Sequence, residues 1–481
     1  MHLARRQRWI LALLSGLAAA TGFAPLYWWP LSLAAMGVLF WLVHTAKTPK
    51  KALKAGYTFG FGLYLGSLWW IGNAFWSFAP VPVVKILAIP AVLLLCAYLA
   101  LYPALACWVW QKLRLKGNGL GAAAFALLWM GAEALREVVL YGFPWNQLGY
   151  IFTNSLPLMQ GAALFGVWGL TTFAALTGAL LGAHNRKACA PVAVALCIGL
   201  FAYGSYRLNH AAPLASIGTV RLVQANITQN HKWDPRLRAK QLMQHVILSQ
   251  TVTAQTPDAT IWPETAAAFF LDEEPELRPH MAAAAAGHLL VTGMPRAEEK
   301  NGQTSYYNSI GVLDETGTVV ASADKSLLVP FGEFIPLRSL VPGMVEKLTE
   351  GSVDFSPSAI PPALPIGTLG TALPLICYEA IFPAFVARNS AGKSFILNIT
   401  NDGWFSHTPG PEQHFAMARL RAVETGLSLV RAANTGITAV VDGYGRIVNR
   451  IEPEQAGILE SIIPEHIDTP TFFVHNLLSG S

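Results

Sequence analysis

Pro374-Leu375-Ile376-Cys377-Tyr378-Glu379 carries an apolar run into a single cysteine, with a carboxylate two residues beyond it. The run has the composition of a short buried strand, and the cysteine stands where such a strand would end. Of the chain's five cysteines, Cys96, Cys107, Cys189 and Cys197 lie in long hydrophobic segments, where a thiol behaves as a small apolar side chain. Only Cys377 has polar surroundings, and with no partner for a disulfide it is a candidate nucleophile. An inert cysteine closing a buried strand has the same local sequence.

Outward from that stretch, composition sets the class. The 481 residues are 53% hydrophobic and 13% charged, with a mean hydropathy of +0.41. That is too apolar for an ordinary soluble protein and indicates a membrane protein. Residues 1–210 carry 15 basic and 2 acidic side chains, whereas residues 211–481 carry 18 and 26. The net charge of +5 averages these unlike halves and is not a nucleic-acid signal. The expected organisation is a membrane domain over 1–210, a globular domain over 211–466 and a tail over 467–481.

Seven apolar runs fill the first half, at about 9–24, 29–44, 55–76, 84–110, 120–140, 156–183 and 188–206. Each reaches or approaches the roughly 20 residues needed to cross a bilayer as a helix. The first follows Arg5, Arg6 and Arg8 as a signal peptide would, but a second run comes directly after it, which favours retained helices. The connectors at 47–54, 111–117 and 184–187 carry Lys and Arg, whereas those at 25–27, 77–83 and 141–155 carry none and are rich in aromatics and Pro. The positive-inside rule then makes the N-terminus cytoplasmic, and seven crossings leave everything after about Arg207 outside the cytoplasm. Glu133, Arg136 and Glu137 interrupt the fifth run at helical spacing. They are read either as an ion pair anchoring the 141–146 loop or as a lipid-headgroup contact.

From Gly218 onward short β-branched runs alternate with helical patterns, which argues for an α/β core covered by helices. Strands are expected at 220–223, 260–262, 288–292, 309–313, 318–321, 373–376, 395–398, 438–441 and 458–462, and helices at 235–253, 382–388 and 412–426. Residues 327–356 form an apolar connection bearing Pro and Gly that resembles a functional loop.

Two further stretches bear on the chemistry of Cys377. Trp262-Pro263-Glu264 ends a strand with a carboxylate, and Asp324-Lys325 leads into Leu328-Val329-Pro330-Phe331-Gly332-Glu333. A thiol needs a base to become a thiolate, and an acyl product needs a cation or amide donors at its oxyanion. Glu264 can supply the base and Lys325 the fixed positive charge. Singly, Glu264 is also readable as a helix-terminal carboxylate, Lys325 as a solvated side chain and Glu333 as a loop salt bridge. Phe269, Phe270 and Leu271, with residues 327–348, form either apolar lids or ordinary core. No cluster with metal-ligand spacing and no phosphate-cradling glycine motif occurs.

The order Glu264, Lys325, Cys377 resembles the Glu-Lys-Cys triad of the carbon–nitrogen hydrolase (nitrilase) superfamily, and Asn401-Asp402-Gly403-Trp404-Phe405 is similar to a loop of that superfamily. The resemblance covers about 217–465 and implies an α-β-β-α sandwich. With the preceding spans, Gly142-Phe143-Pro144-Trp145 and Cys377-Tyr378-Glu379, the whole resembles the apolipoprotein N-acyltransferase family. The expected fold is thus a multi-pass α-helical membrane domain plus an α/β nitrilase-like sandwich. The resemblance implies Glu264, Lys325 and Cys377 as catalytic residues, with Trp233, Glu333, Tyr378 and Glu379 supporting them. It also implies a monomer without cofactor or metal, in the bacterial inner membrane, with a periplasmic catalytic domain. Its implied reaction passes an acyl chain from a phospholipid, through a thioester on Cys377, to the α-amine of a diacylated apolipoprotein. A membrane-tethered amidase cleaving a C–N bond is the alternative. The resemblance also implies an eighth, C-terminal span; the 467–481 tail is too short to cross as a helix, so the expectation is either that this span is missing or that the tail lies at the interface.

Overall fold

A computed structural model describes residues 4–78, 85–114, 119–232, 234, 236–253, 256–300, 302–336, 354–360, 362–467 and 471–479. Trp233 and most of the 327–356 connection lie outside the described residues. The chain divides into two compact units, one of helices up to residue 211 and one from residue 212 onward that includes a segment beginning at Asn73.

The first unit contains α1 (Arg5–Ala20), α2 (Trp29–His44), α3 (Pro49–Leu68), α4 (Ala88–Leu99), α5 (Leu101–Lys112), α6 (Gly119–Val138), α7 (Ala162–Gly182) and α8 (Arg186–Asn209). Among the described residues, three stretches are long and apolar enough to cross a membrane: Ala88–Lys112, Ala162–Gly182 and Arg186–Asn209. The other four expected spans are helical too, but differ in length or charge. Helices α1 and α2 have 16 residues each, α3 opens on Lys50, Lys51 and Lys54, and α6 holds Glu133, Arg136 and Glu137. The expected single span at 84–110 corresponds to Ala88–Lys112, with the ladder interrupted only between α4 and α5, where Pro103 lacks the N–H that would bond the Leu99 carbonyl. Helices α2 and α7 cross backbone to backbone. A Cβ on Gly182 would fall 2.0 Å from the Gly37 carbonyl oxygen, the close approach that small residues permit between apolar helices.

The charges of α6 are buried, with Glu133 3% and Arg136 1% exposed. Arg136 Nη1 donates to the carbonyls of Phe143 at 2.9 Å and Trp145 at 2.7 Å, and the Leu148 N–H donates to Glu133 Oε2 at 2.9 Å. Of the two readings offered by the sequence, these bonds are those of the anchor. The Gly142-Phe143-Pro144-Trp145 turn is held to the helix end by its own backbone carbonyls.

The second unit is built on two six-stranded sheets. The strands are β1 (Ser216–Gln224), β2 (Ala259–Ile261), β3 (Leu289–Lys300), β4 (Gln303–Leu313), β5 (Val319–Asp324), β6 (Leu364–Pro365), β7 (Thr371–Ile376), β8 (Phe395–Thr400), β9 (Ser428–Ala433), β10 (Thr438–Val441), β11 (Ile447–Ile451) and β12 (Gly457–Pro464). One sheet runs β12-β1-β2-β3-β4-β5 and the other β11-β10-β9-β8-β7-β6. Side chains alternate between faces along each strand. Phe395, Leu397 and Ile399 of β8 therefore enter the core between the sheets with Val220, Leu222, Ile261 and Val312, while Ile396 faces outward. Outside the first sheet, α9 (Arg238–Ser249) and α10 (Arg278–Ala285) bring Leu242, Val246 and Met281 onto Val223 and Trp262. Outside the second, α11 (Pro383–Asn389) and α12 (Gly410–Thr425) bring Val386, Phe415 and Ala418 onto Leu373 and Leu375. The result is the expected α-β-β-α layering. Phe269 and Leu271 belong to the outer core of the first sheet, so they pack inside rather than forming a lid.

Truncating Arg136 to alanine should strip the 143–145 carbonyls of their donor and leave Glu133 buried without its neighbouring cation. A loss of about 3–5 kcal/mol is expected for breaking such a buried arrangement, read as a lowered thermal midpoint of the detergent-solubilised protein.

Candidate active site

Three strand ends meet in the second unit. Strands β1, β2 and β3 are mutually parallel, as are β7, β8 and β9, so each sheet gathers C-terminal strand ends along one edge. Glu264 lies just past β2, Lys325 follows β5 directly, and Cys377 follows β7 directly. The Glu264 turn is tied to the neighbouring strand, with Trp262 N–H donating to the Val291 carbonyl at 2.8 Å and Ala267 N–H to that of Gly293 at 3.1 Å. Only glycine fits at that crossing, since a Cβ on Gly293 would lie 2.4 Å from the Thr265 nitrogen and 2.7 Å from the Glu264 Cα.

Lys325 is 1% exposed, and its Nζ lies 3.0 Å from the Glu333 carboxylate and 3.7 Å from Glu264 Oε1. Burial acts to lower its pKa, but Glu333 and Glu264, with smaller help from Cys377 and Glu379, outweigh it and hold the ammonium well above its ordinary range. Asn308 Nδ2 bridges the two carboxylates, donating at 2.8 Å to Glu264 Oε1 and at 2.8 Å to Glu333 Oε1. Glu264 Oε2 accepts the Asn401 N–H at 2.9 Å. The Val329 N–H donates to Glu333 Oε2 at 2.8 Å, so Glu333 latches the start of the apolar connection to the ammonium.

Cys377 has φ +52°, the left-handed region that costs an L-residue roughly 1–2 kcal/mol. The turn holds it there. Glu379 Oε2 accepts the Ile376 N–H at 2.7 Å, and Oε1 accepts those of Ser326 at 2.7 Å and Leu327 at 3.1 Å. One carboxylate thereby ties the cysteine turn to the segment carrying Lys325. Burial pushes the Glu379 carboxyl up to about 7, against the pull of those N–H donors and Lys325. Burial also pushes the Cys377 thiol far up, Glu264 adds to this, and Lys325 and the Thr400 hydroxyl pull back. At neutral pH the resting sulfur is therefore a thiol that an adjacent base must deprotonate. Tyr378 is buried and meets Phe382 edge to face, with centroids 5.0 Å apart.

Of the residues expected from the sequence, Glu264, Lys325, Glu333, Cys377, Tyr378 and Glu379 are all buried, and Lys325 feels the charge of both other triad members. Sequence reasoning missed Asn308, which lies one residue before the strand expected at 309–313, in the polar part of β4. It also missed Lys232, whose Nζ donates to the Glu264 carbonyl at 2.7 Å. Burial brings that ammonium down to about 8, with Glu264 and Cys377 opposing. Among the described residues no group of three or more His, Cys, Asp or Glu is arranged to hold a metal.

Comparison with known proteins follows the same division of the chain. The family model described as Apolipoprotein N-acyltransferase N-terminal domain matches residues 15–180, and that described as Carbon-nitrogen hydrolase matches residues 219–467. A protein of Brucella melitensis biotype 1 named apolipoprotein N-acyltransferase is 37% identical, covering 96% of this chain and 91% of its own. One of the same name from Geobacter metallireducens is 37% identical over 92% and 86%. Among solved structures, an amidase from Nesterenkonia sp. has 20% identity and a TM-score of 0.39, covering 55% of this chain and 95% of its own.

The Glu379 bracket yields a signed pH dependence. Its carboxyl titrates near 7 in the folded protein against an ordinary 4.5, so between those values the folded state holds a proton that the unfolded chain has released. Its contribution to stability is therefore full below about 4.5 and lost as pH rises through about 7. Glu379→Gln should flatten that part of the stability–pH curve. The amide NH2 should also oppose a backbone donor and cost about 1–3 kcal/mol, both effects measured by denaturant unfolding across pH 4 to 8.

Proposed function

The chain belongs to the apolipoprotein N-acyltransferase family within the carbon–nitrogen hydrolases, and from that membership we propose a reaction carried by Cys377, Glu264 and Lys325. The protein is a membrane-associated acyltransferase of lipoprotein maturation. The proposal adds the acyl donor, the order of steps and the residues. The observation that carries it is the buried ammonium of Lys325, set between the Glu264 and Glu333 carboxylates and coupled in charge to the Cys377 thiol.

In the first half-reaction Glu264 takes the proton from Cys377 Sγ, and the sulfur attacks the ester carbonyl of a membrane phospholipid. The oxyanion is held by Lys325 and the Tyr378 N–H. Collapse breaks the ester bond, the leaving alkoxide receives the proton from Glu264, and the lysophospholipid departs from a thioester on Cys377. In the second half-reaction the α-amine of a diacylated apolipoprotein attacks the thioester while Glu264 takes an amine proton. The C–S bond then breaks and the proton returns to sulfur. An acyl-enzyme of this kind gives ping-pong kinetics. Glu333 and Asn308 keep the ammonium and the base in place, and Glu379 keeps the nucleophile turn in place.

The setting proposed is a bacterial inner membrane, with a cytoplasmic N-terminus and a periplasmic catalytic unit acting as a monomer. Support comes from the connectors of residues 1–210, where Lys- and Arg-bearing loops alternate with loops that have neither. Amide hydrolysis by the same triad is the competing outcome.

Incubation with phospholipid alone should leave an acyl adduct on Cys377, seen by mass spectrometry, and adding a diacylated peptide should discharge it to the peptide amine. Cys377→Ala should abolish both, and Glu264→Gln should slow acylation at least about 100-fold, as loss of a general base does. Release of free fatty acid without peptide acylation would instead make the protein a hydrolase.

A further inference from the structure

Beneath the nucleophile turn lies a fully buried polar chain that the proposed reaction does not use. His414 on α12 is 1% exposed, Asp402 and Arg431 are both 0%. His414 Nε2 lies 3.1 Å from the Cys377 carbonyl oxygen. That oxygen can only accept, and so can the Asp402 carboxylate on the other side of the ring, so the two contacts are both hydrogen bonds when each ring nitrogen carries a hydrogen. On the other side of the ring, Nδ1 lies 2.8 Å from Asp402 Oδ1 and 3.3 Å from Arg431 Nη2. Arg431 Nη2 donates to Asp402 Oδ2 at 2.8 Å, its Nη1 bonds Asn398, and the Thr400 hydroxyl donates to Asp402 Oδ1 at 3.2 Å. The imidazole is thus fixed at both ends, one end on the backbone of the nucleophile itself.

The consequence follows from peptide geometry. The carbonyl of Cys377 and the N–H of Tyr378 belong to one planar trans peptide unit and point in opposite directions. Capturing the oxygen from below fixes ψ of Cys377 and therefore fixes where the Tyr378 N–H aims. The Ile376 N–H held by Glu379 lies one peptide unit further back, so of the two units flanking the left-handed residue it is the following one, Cys377–Tyr378, that His414 holds.

We propose that His414, held by Asp402 and Arg431, is a positioning residue for the oxyanion donor. It sets the plane of the Cys377–Tyr378 peptide so that the Tyr378 N–H faces the acyl oxygen. This rests on the thioester reading above, and it adds a role for side chains that never touch substrate.

The test separates electrophiles that generate an oxyanion from one that does not, using the full-length enzyme in detergent. Acylation of Cys377 by a p-nitrophenyl ester passes through a tetrahedral oxyanion, whereas alkylation by iodoacetamide does not. His414→Asn keeps an amide facing Asp402 but draws it away from the Cys377 carbonyl. It should lower acylation by about 30- to 100-fold, the order expected for a misdirected oxyanion donor, with alkylation changed less than about 3-fold. In His414→Gln the amide nitrogen can take the place of Nε2, and acylation should return to within about 5-fold of the parent. Should His414→Asn not fold, Asp402→Asn replaces it, with the same ratio expected to fall at least about 5-fold. Parallel loss of acylation and alkylation in the variant used would overturn the proposal, as would acylation at the parent rate. An unsubstituted protein that alkylates at Cys377 yet never forms an ester-derived adduct would sink the thioester reading instead.

Discussion

A lysine ammonium without solvent, compensated by two carboxylates, is the constraint on which the second unit depends. Lys325 is 1% exposed, and moving an isolated cation out of water costs several kcal/mol even after the protein relaxes. Glu333 at 3.0 Å and Glu264 at 3.7 Å meet that cost only because neither is free to move. Asn308 holds one oxygen of each, and the Asn401 and Val329 amides hold the others. The cluster is close to a complete hydrogen-bond circuit, the condition under which buried charge is tolerated.

The layering of the fold explains how the circuit is assembled. Glu264, Lys325 and Asn308 come from the first sheet, Cys377 and Asn401 from the second. Neither sheet alone holds a base and a nucleophile. The aliphatic core between them, with Ile376 at the very end of β7, continues to the residue before the thiol. Apolar packing fixes the strand ends to within small displacements, and the charges then operate at hydrogen-bond distances. The same packing excludes water from the sulfur, which keeps it protonated at rest and makes the neighbouring carboxylate necessary.

Much of this was legible in the sequence, for reasons particular to each residue. Glu264 and Cys377 each follow an apolar strand with a polar or reactive group, a contrast visible without neighbours, whereas Lys325 follows the half-exposed strand β5 and stands out only beside the other two. The central strands were readable because both faces are covered, so that β8 is apolar at Phe395, Ile396 and Leu397 in succession. Strand β9 was missed because Ser428 and Arg431 make it look like surface, although all six of its residues are buried. The polar halves of β3 and β4, from Arg296 to Tyr307, were missed because the hairpin runs into solvent beyond its apolar part. His414 is one of twelve histidines spread along the chain, and nothing local marks it, since its partners Asp402 and Arg431 come from other elements and only the fold unites them. In the first half, run length and charge were legible. Whether the charges of α6 faced lipid or protein was not, because that depends on the backbone carbonyls of Phe143 and Trp145.

The strain at Cys377 and the charge at Lys325 form a single cooperative arrangement. Glu379 accepts one backbone N–H from the residue before the cysteine and two from the residues after the lysine. Releasing the lysine segment would leave that carboxylate with a single backbone donor and weaken its hold on the left-handed turn. Releasing the turn would in the same way loosen Ser326 and Leu327, and with them the backbone that aims Lys325 at Glu333. Groups that share a ligand in this way lose their contributions together, so substitutions at Lys325, Glu379 and Cys377 belong to one network and their effects do not sum. The chemical requirement of the proposed reaction is that base, cation and sulfur keep a fixed relation through two successive acyl transfers. A carboxylate that binds the two segments by their main chains meets it, because it holds the backbone while leaving both reactive side chains available to substrate.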